Sequence, residues 1–112
     1  MNSTENILLY QAPDGQTQLE VQLDHETVWL TQAQMAELFA VSRPNVTMHL
    51  RNVFKDGELE EKSVGKESLL TAVDGKQYRV KHYSLDVIIS VGYRVKSLRG
   101  THFRQWATNV LR

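Results

Sequence analysis

The segment from Thr31 to Arg51, TQAQMAELFAVSRPNVTMHLR, leaves little freedom in how the middle of this 112-residue chain can fold. Thr31 is followed three residues later by Gln34, so hydroxyl and amide can each satisfy an otherwise unpaired N–H in the first turn of a helix beginning near Gln32. Met35, Ala36, Leu38 and Phe39 then form one apolar stripe, with Ala36 small enough for a steep helix crossing. Ala40, Val41 and Ser42 make the turn. Val41 plugs the space between the helices, Ser42 caps the second helix, and Pro44 fits a first turn whose N–H has no partner to lose.

In the second helix Val46, Leu50, Val53 and Phe54 recur at i, i+4, i+7 and i+8, which turns them inward. Arg43, Asn45, Thr47, Met48 and Arg51 are left to point outward. An Arg fork matches guanine, an Asn amide matches adenine, and Thr or Met methyl groups touch thymine; Arg51, a turn further on, suits phosphate. The pattern is that of a helix-turn-helix. It predicts double-stranded DNA as partner, with Ser42, Arg43, Asn45, Thr47, Met48 and Arg51 as the contacting set. A helical hairpin with a merely solvated polar face has the same spacing.

On either side lie strand signals. ILLYQ, the turn Ala12-Pro13-Asp14-Gly15 and TQLEVQL predict a hairpin, and Val28-Trp29-Leu30 a third short strand. Residues 55–67 are polar and broken by glycines, which reads as a loop with at most one helical turn. SLLTAV and KQYRVKHY flank Asp74-Gly75, the pair suited to a type I′ turn. A hairpin just after a recognition helix is the wing of a winged helix; Lys76 and Arg79 would meet phosphates there, with Leu69, Tyr78 and Val80 packing inward or pairing across the strands. Ser84 offers a cap for a nearly all-apolar helix through Leu85, Val87, Ile88, Ile89 and Val91, whose end Gly92 weakens. Thr101 offers another for an amphipathic helix through Phe103, Trp106, Ala107, Val110 and Leu111. The expected fold class is therefore α+β: a winged helix-turn-helix with an N-terminal β-hairpin and two C-terminal helices. Residues 1–112 read as a single domain, and the lack of a stop signal near Arg112 suggests the N-terminal part of a longer protein.

Composition narrows the function. There is no cysteine, which excludes disulfides and thiolate metal sites. No run is long enough to span a membrane and MNSTENILLY lacks the form of a signal peptide, so the expected location is cytoplasmic. The formal net charge is zero, but residues 1–42 sum to −6, residues 43–75 to −1 and residues 76–112 to +7. A polyanion would be drawn to the C-terminal third unless acidic and basic segments pair within the fold. His25, His49, His82 and His102 have no metal-ligand spacing, and no cofactor is expected. His49 reads as a packed residue, while His82, Asp86 and His102 can converge only if the last two helices bring them together. The aromatic residues read as core, with Tyr78 and Tyr83 beside Arg79 and Lys81 the nearest approach to a base-stacking surface.

The stretch ETVWLTQAQMAELFAVSRPNVTMHLRNVFKDGELEEKSV, followed by DGKQYRVKHYSLDVIISVGYRVKSLRGTHFRQWATNVL, resembles the N-terminal domain of the RhuM-type virulence-associated proteins of bacteria, over nearly the whole chain from about Ile7. VWLTQAQMAELF and the run from Tyr83 through Trp106 carry that resemblance. It implies a DNA-binding-like domain of a longer protein. RGTHFRQWATNVL is also similar to the closing helix of the N-terminal domain of phage antirepressor-like proteins. Pro44 and Leu98 depart from the family pattern, the first where a small hydroxyl residue is commoner, the second where a polar one is frequent. Three functions compete: a dimeric transcriptional regulator that reads DNA, a protein-interaction module of the antirepressor kind, and a nucleic-acid enzyme using His82, Asp86 or His102.

Overall fold

The computed structural model describes residues 6–112. Ten elements follow one another: β1 (Asn6–Gln11), β2 (Gln18–Asp24), β3 (Thr27–Thr31), α1 (Gln32–Phe39), α2 (Arg43–Lys55), α3 (Glu61–Val64), β4 (Gly65–Thr71), β5 (Gln77–Ser84), α4 (Leu85–Val95) and α5 (Leu98–Val110). The strands form one antiparallel sheet in the order β1-β2-β3-β5-β4. The fold is thus mixed α+β, as expected. Because β3 runs into α1 and β5 into α4, the antiparallel pairing of Trp29 with Ser84, Leu30 with Tyr83 and Thr31 with His82 sets the two strand-to-helix junctions at opposite ends of one three-residue ladder.

One core joins sheet and helices. Leu19, Val21, Val28, Leu30 and Tyr83 from the strands meet Met35, Leu38, Phe39, Val46, Leu50, Val87, Ile88, Val91 and Phe103 from the helices. The period-two alternation of β2 and the period-3.6 stripes of α1 and α2 put these residues on facing surfaces. On the other face the sheet curls. β2 and β4 stand three strand spacings apart, roughly 14 Å in a flat sheet, yet Gln22 donates to Ser68 across 3.2 Å and Lys66 Nζ lies 2.8 Å from Asp24. The Lys66 ammonium also sits 4.8 Å from the Trp29 ring centre. This closure buries Gln22, Trp29 and His82 on a face that a flat sheet would leave wet.

Several local expectations are corrected. The Asp74-Gly75 tip is not type I′: the Gly75 N–H donates to Ala72 O, the Ala72 N–H to Lys76 O, and of the two residues only Gly75 is left-handed, at φ 83°. A three-residue loop of this kind closes with a bulge at the glycine. The type I′ requirement of two left-handed residues is met instead at His25 and Glu26, φ 51° and 61°, between Asp24 and Thr27. α5 starts at Leu98, capped by the Ser97 hydroxyl accepting the Arg99 N–H at 3.1 Å, and not at Thr101. Gly100 therefore lies inside the first turn, where a Cβ would come within 3.4 Å of Gly92 Cα and 3.1 Å of the Phe39 ring. Gly92 does not end α4; it lets the two helices touch. Ser84 precedes α4 as expected, but its hydroxyl makes no capping bond. Leu69 stands opposite Arg79 and Tyr78 opposite Leu70 in the β4–β5 hairpin, so Leu69 and Tyr78 do not pair with each other, and they stay 54% and 47% exposed because the hairpin extends past the core that would cover them.

Candidate nucleic-acid interface

The helix pair is built as its sequence dictates. Thr31 Oγ1 accepts the Gln34 N–H at 3.1 Å while the Thr31 N–H donates to Gln34 Oε1 at 2.9 Å, a complete capping box. α1 ends at Ala40, left-handed at φ 57°, whose N–H reaches Ala36 O and Glu37 O. Val41 packs, half-buried, against the core. Ser42 Oγ accepts the Asn45 N–H at 3.1 Å and opens α2, with Pro44 in its first turn. Val46, Leu50 and Val53 are buried, and Phe54, partly buried, stacks on Tyr83 with 6.3 Å between ring centres.

The outward face of α2 divides more finely than spacing foretold. Ser42, Arg43, Pro44, Met48 and Arg51 are exposed. Arg43, Pro44, Thr47, Met48 and Arg51 line one shallow cleft together with Gln32 of α1. The Thr47 hydroxyl donates to Arg43 O at 3.0 Å and receives a short hydrogen bond from the Gln32 amide, which also reaches Arg43 O at 3.4 Å. Asn45 does not line this cleft: it lies roughly 160° around the helix from Thr47 and roughly 60° from Met48 at 100° per residue. Its Oδ1 is buried and has no hydrogen-bond partner among the described residues. Gln32 was missed from sequence, since a polar residue opening a helix carries no mark that its amide will cross to a residue 15 positions on.

Lys76 sits exposed at the tip of the β4–β5 hairpin, its N–H donating to Asp74 Oδ1 at 2.9 Å. Arg79 stands 3.8 Å from Glu67, both well exposed. The hairpin is anchored at its base, where β5 is bonded to β3, the strand that feeds α1.

Charge sorted along the sequence is recombined in space only in part. Arg99 pairs with Asp14 at 3.1 Å, Lys81 with Glu61 at 3.1 Å, and Arg94 with Asp56 and Glu58 at 3.2 and 2.9 Å. Hydrogen bonds from Ser90 and then Arg94 hold the Glu58 carboxyl below its ordinary pKa, and the Lys66 ammonium does the same for Asp24. Arg43, Arg51 and Lys76 have no ion pair among the described residues, and neither do Lys55, Lys62, Lys96, Arg104 and Arg112.

The histidine–carboxylate set does not assemble into a catalytic centre. His82 is sealed within the sheet, its Nδ1 2.9 Å from Val80 O, whereas Asp86 and His102 are exposed on separate helices. Among the described residues no group of three His, Cys, Asp or Glu side chains can hold a metal ion. His49 is half-buried. Tyr93, expected in the core, is 80% exposed and lines a groove between α4 and α5 with Leu98, 75% exposed, Lys96 and Arg104. No helix among the described residues is long and apolar enough to cross a membrane.

Residues 63–112 match the Virulence protein RhuM family. This is the family that the sequence resembles, and the RhuM match covers β4, β5, α4 and α5, stopping short of α1 and α2. No curated protein and no solved structure matches the chain.

Proposed function

We propose that this chain is a winged helix-turn-helix protein that binds double-stranded DNA, with α2 as the reading helix, the β4–β5 hairpin as the wing, and transcriptional regulation in the cytoplasm as its task. The observation that carries the reading is the exposed face of α2, where Arg43 and Arg51 flank Thr47 and Met48 without an ion-pair partner among the described residues. Two unpaired cations on one exposed helix face suit a polyanion, and their spacing of eight residues covers just over two helical turns, about the reach of one major-groove contact. Lys76 and Arg79 at the hairpin would add phosphate contacts, and a homodimer would place two α2 helices on half-sites one DNA turn apart.

Selection from a random duplex pool with the intact chain tests this. An enriched, palindromic sequence is the expected outcome; no enrichment at low salt would remove the reading. A second reading, a protein-interaction module of the antirepressor kind, is favoured by the exposed Tyr93 and Leu98 in the α4–α5 groove. It would gain if the chain bound no nucleic acid but formed a tight complex abolished by Tyr93→Ala.

A further inference from the structure

The side chains that sequence offers for base contacts are not equally free to make them. The Ser42 hydroxyl caps α2, and the Asn45 side-chain oxygen is buried and outside the lining of the cleft. The Thr47 hydroxyl is engaged by Arg43 O and Gln32, so the methyl is what Thr47 has left to offer. The cleft on α2 is therefore apolar in its middle and cationic along its edge: Pro44, Thr47 and a 46% exposed Met48, beside Arg43 and Arg51. A half-exposed Met on a cationic face leaves apolar area in water that only an apolar contact can recover. In the major groove a base edge presents one apolar group, the thymine 5-methyl.

Resting on the DNA-binding reading above, we infer that α2 reads thymine through its 5-methyl group, with Pro44, Thr47 and Met48 as the methyl-contacting surface and Arg43 and Arg51 fixing the neighbouring guanine or phosphate. Asn45, the adenine reader suggested by sequence, takes no part in base recognition. The recognised step then contains thymine beside guanine rather than an adenine fixed by an amide fork.

The test uses the intact chain and the duplex obtained by selection. Each thymine is replaced in turn by deoxyuridine, which removes the methyl and nothing else. At one or two positions binding should weaken roughly three- to fivefold, the worth of one buried methyl group. Met48→Gln, at an exposed position where folding is not at stake, should abolish that difference, while Asn45→Ala should leave it intact. If deoxyuridine is tolerated at every position while Arg43→Ala and Arg51→Ala still weaken binding, α2 binds DNA by other means and the inference falls alone. If those two arginine variants bind as the wild type does, α2 is not the reading helix, and the inference falls together with that assignment.

Discussion

The β1–β2 and β4–β5 hairpins turn on the same pattern, Ala-Pro-Asp-Gly at 12–15 and Ala-Val-Asp-Gly at 72–75. In each the glycine N–H donates to the alanine carbonyl, the glycine is left-handed, and one aspartate oxygen accepts the N–H two residues on. The second aspartate oxygen marks the difference. Asp14 Oδ2 receives Arg99 from α5, 85 residues away, whereas Asp74 Oδ2 receives the hydroxyl of Tyr78 from its own hairpin. Arg99 also bonds Thr17 at 3.1 Å, and Tyr10 packs edge-on against Phe103 and Trp106 with ring centres 5.0 and 5.1 Å away. The first hairpin is thus held down on α5, and the second stands out from the body. Local chemistry sets the turn; a distant residue decides whether the hairpin is docked or left available to a partner.

The sharpest test of that contrast is a pair of tyrosines. Tyr10→Ala should cost about 3 kcal/mol or more in denaturant unfolding, as removal of a buried aromatic does, while Tyr78→Ala should stay within about 0.5 kcal/mol. Equal costs would mean that the second hairpin is docked after all. Next come the turns themselves. Gly15→Ala and Gly75→Ala should each cost about 1 kcal/mol, because both force a side chain into the left-handed region whatever the hairpin's surroundings. Glu26→Gly, at a left-handed position held by an ordinary residue, should gain up to about 1 kcal/mol. Loss of stability there would contradict the type I′ geometry.

A smaller effect separates the tips most cleanly. Arg99→Ala should speed amide exchange at Gly15 and Gln16 severalfold, with no change at Gly75 and Lys76 and only the modest global cost of a surface pair. Acid should do the same to the first tip. The Gln16 N–H, and after it Arg99, hold the Asp14 carboxyl below its ordinary pKa. A depressed carboxylate contributes stability that is complete above the ordinary value, about 4, and is lost as pH falls through the depressed one. Exchange protection at Gln16 should therefore decline only below the ordinary carboxylate range. A decline already near neutral pH would show that Asp14 is not the group responsible.

What sequence disclosed follows the same division between local and distant. The caps at Thr31 and Ser42 and the buried stripes of α1 and α2 are visible because partners lie three or four residues apart. The strands β1, β2, β3 and β5 are visible for a similar reason, through alternation. The ties of Arg99 to Asp14 and Gln32 to Thr47 join residues with no mutual spacing rule, and the curl that buries His82 and Trp29 exists only once β2 meets β4. Turn type is hidden for a related cause: Asp-Gly suits a type I′ turn, but the register Thr71 to Gln77, extended by the bond from Ala72 to Lys76, leaves three residues to connect, and the two-residue geometry falls to His25-Glu26, where strand register requires it.

The central claim is that the exposed face of α2 and the free hairpin act on one polyanion. Binding of the intact chain to its selected duplex, titrated across salt concentration, measures this directly. Arg51→Ala and Lys76→Ala should each make the negative slope of log K against log salt shallower by about one, with the double variant making it shallower by about two. Slopes identical to the wild type in both variants would place the DNA, if any is bound, elsewhere on the molecule.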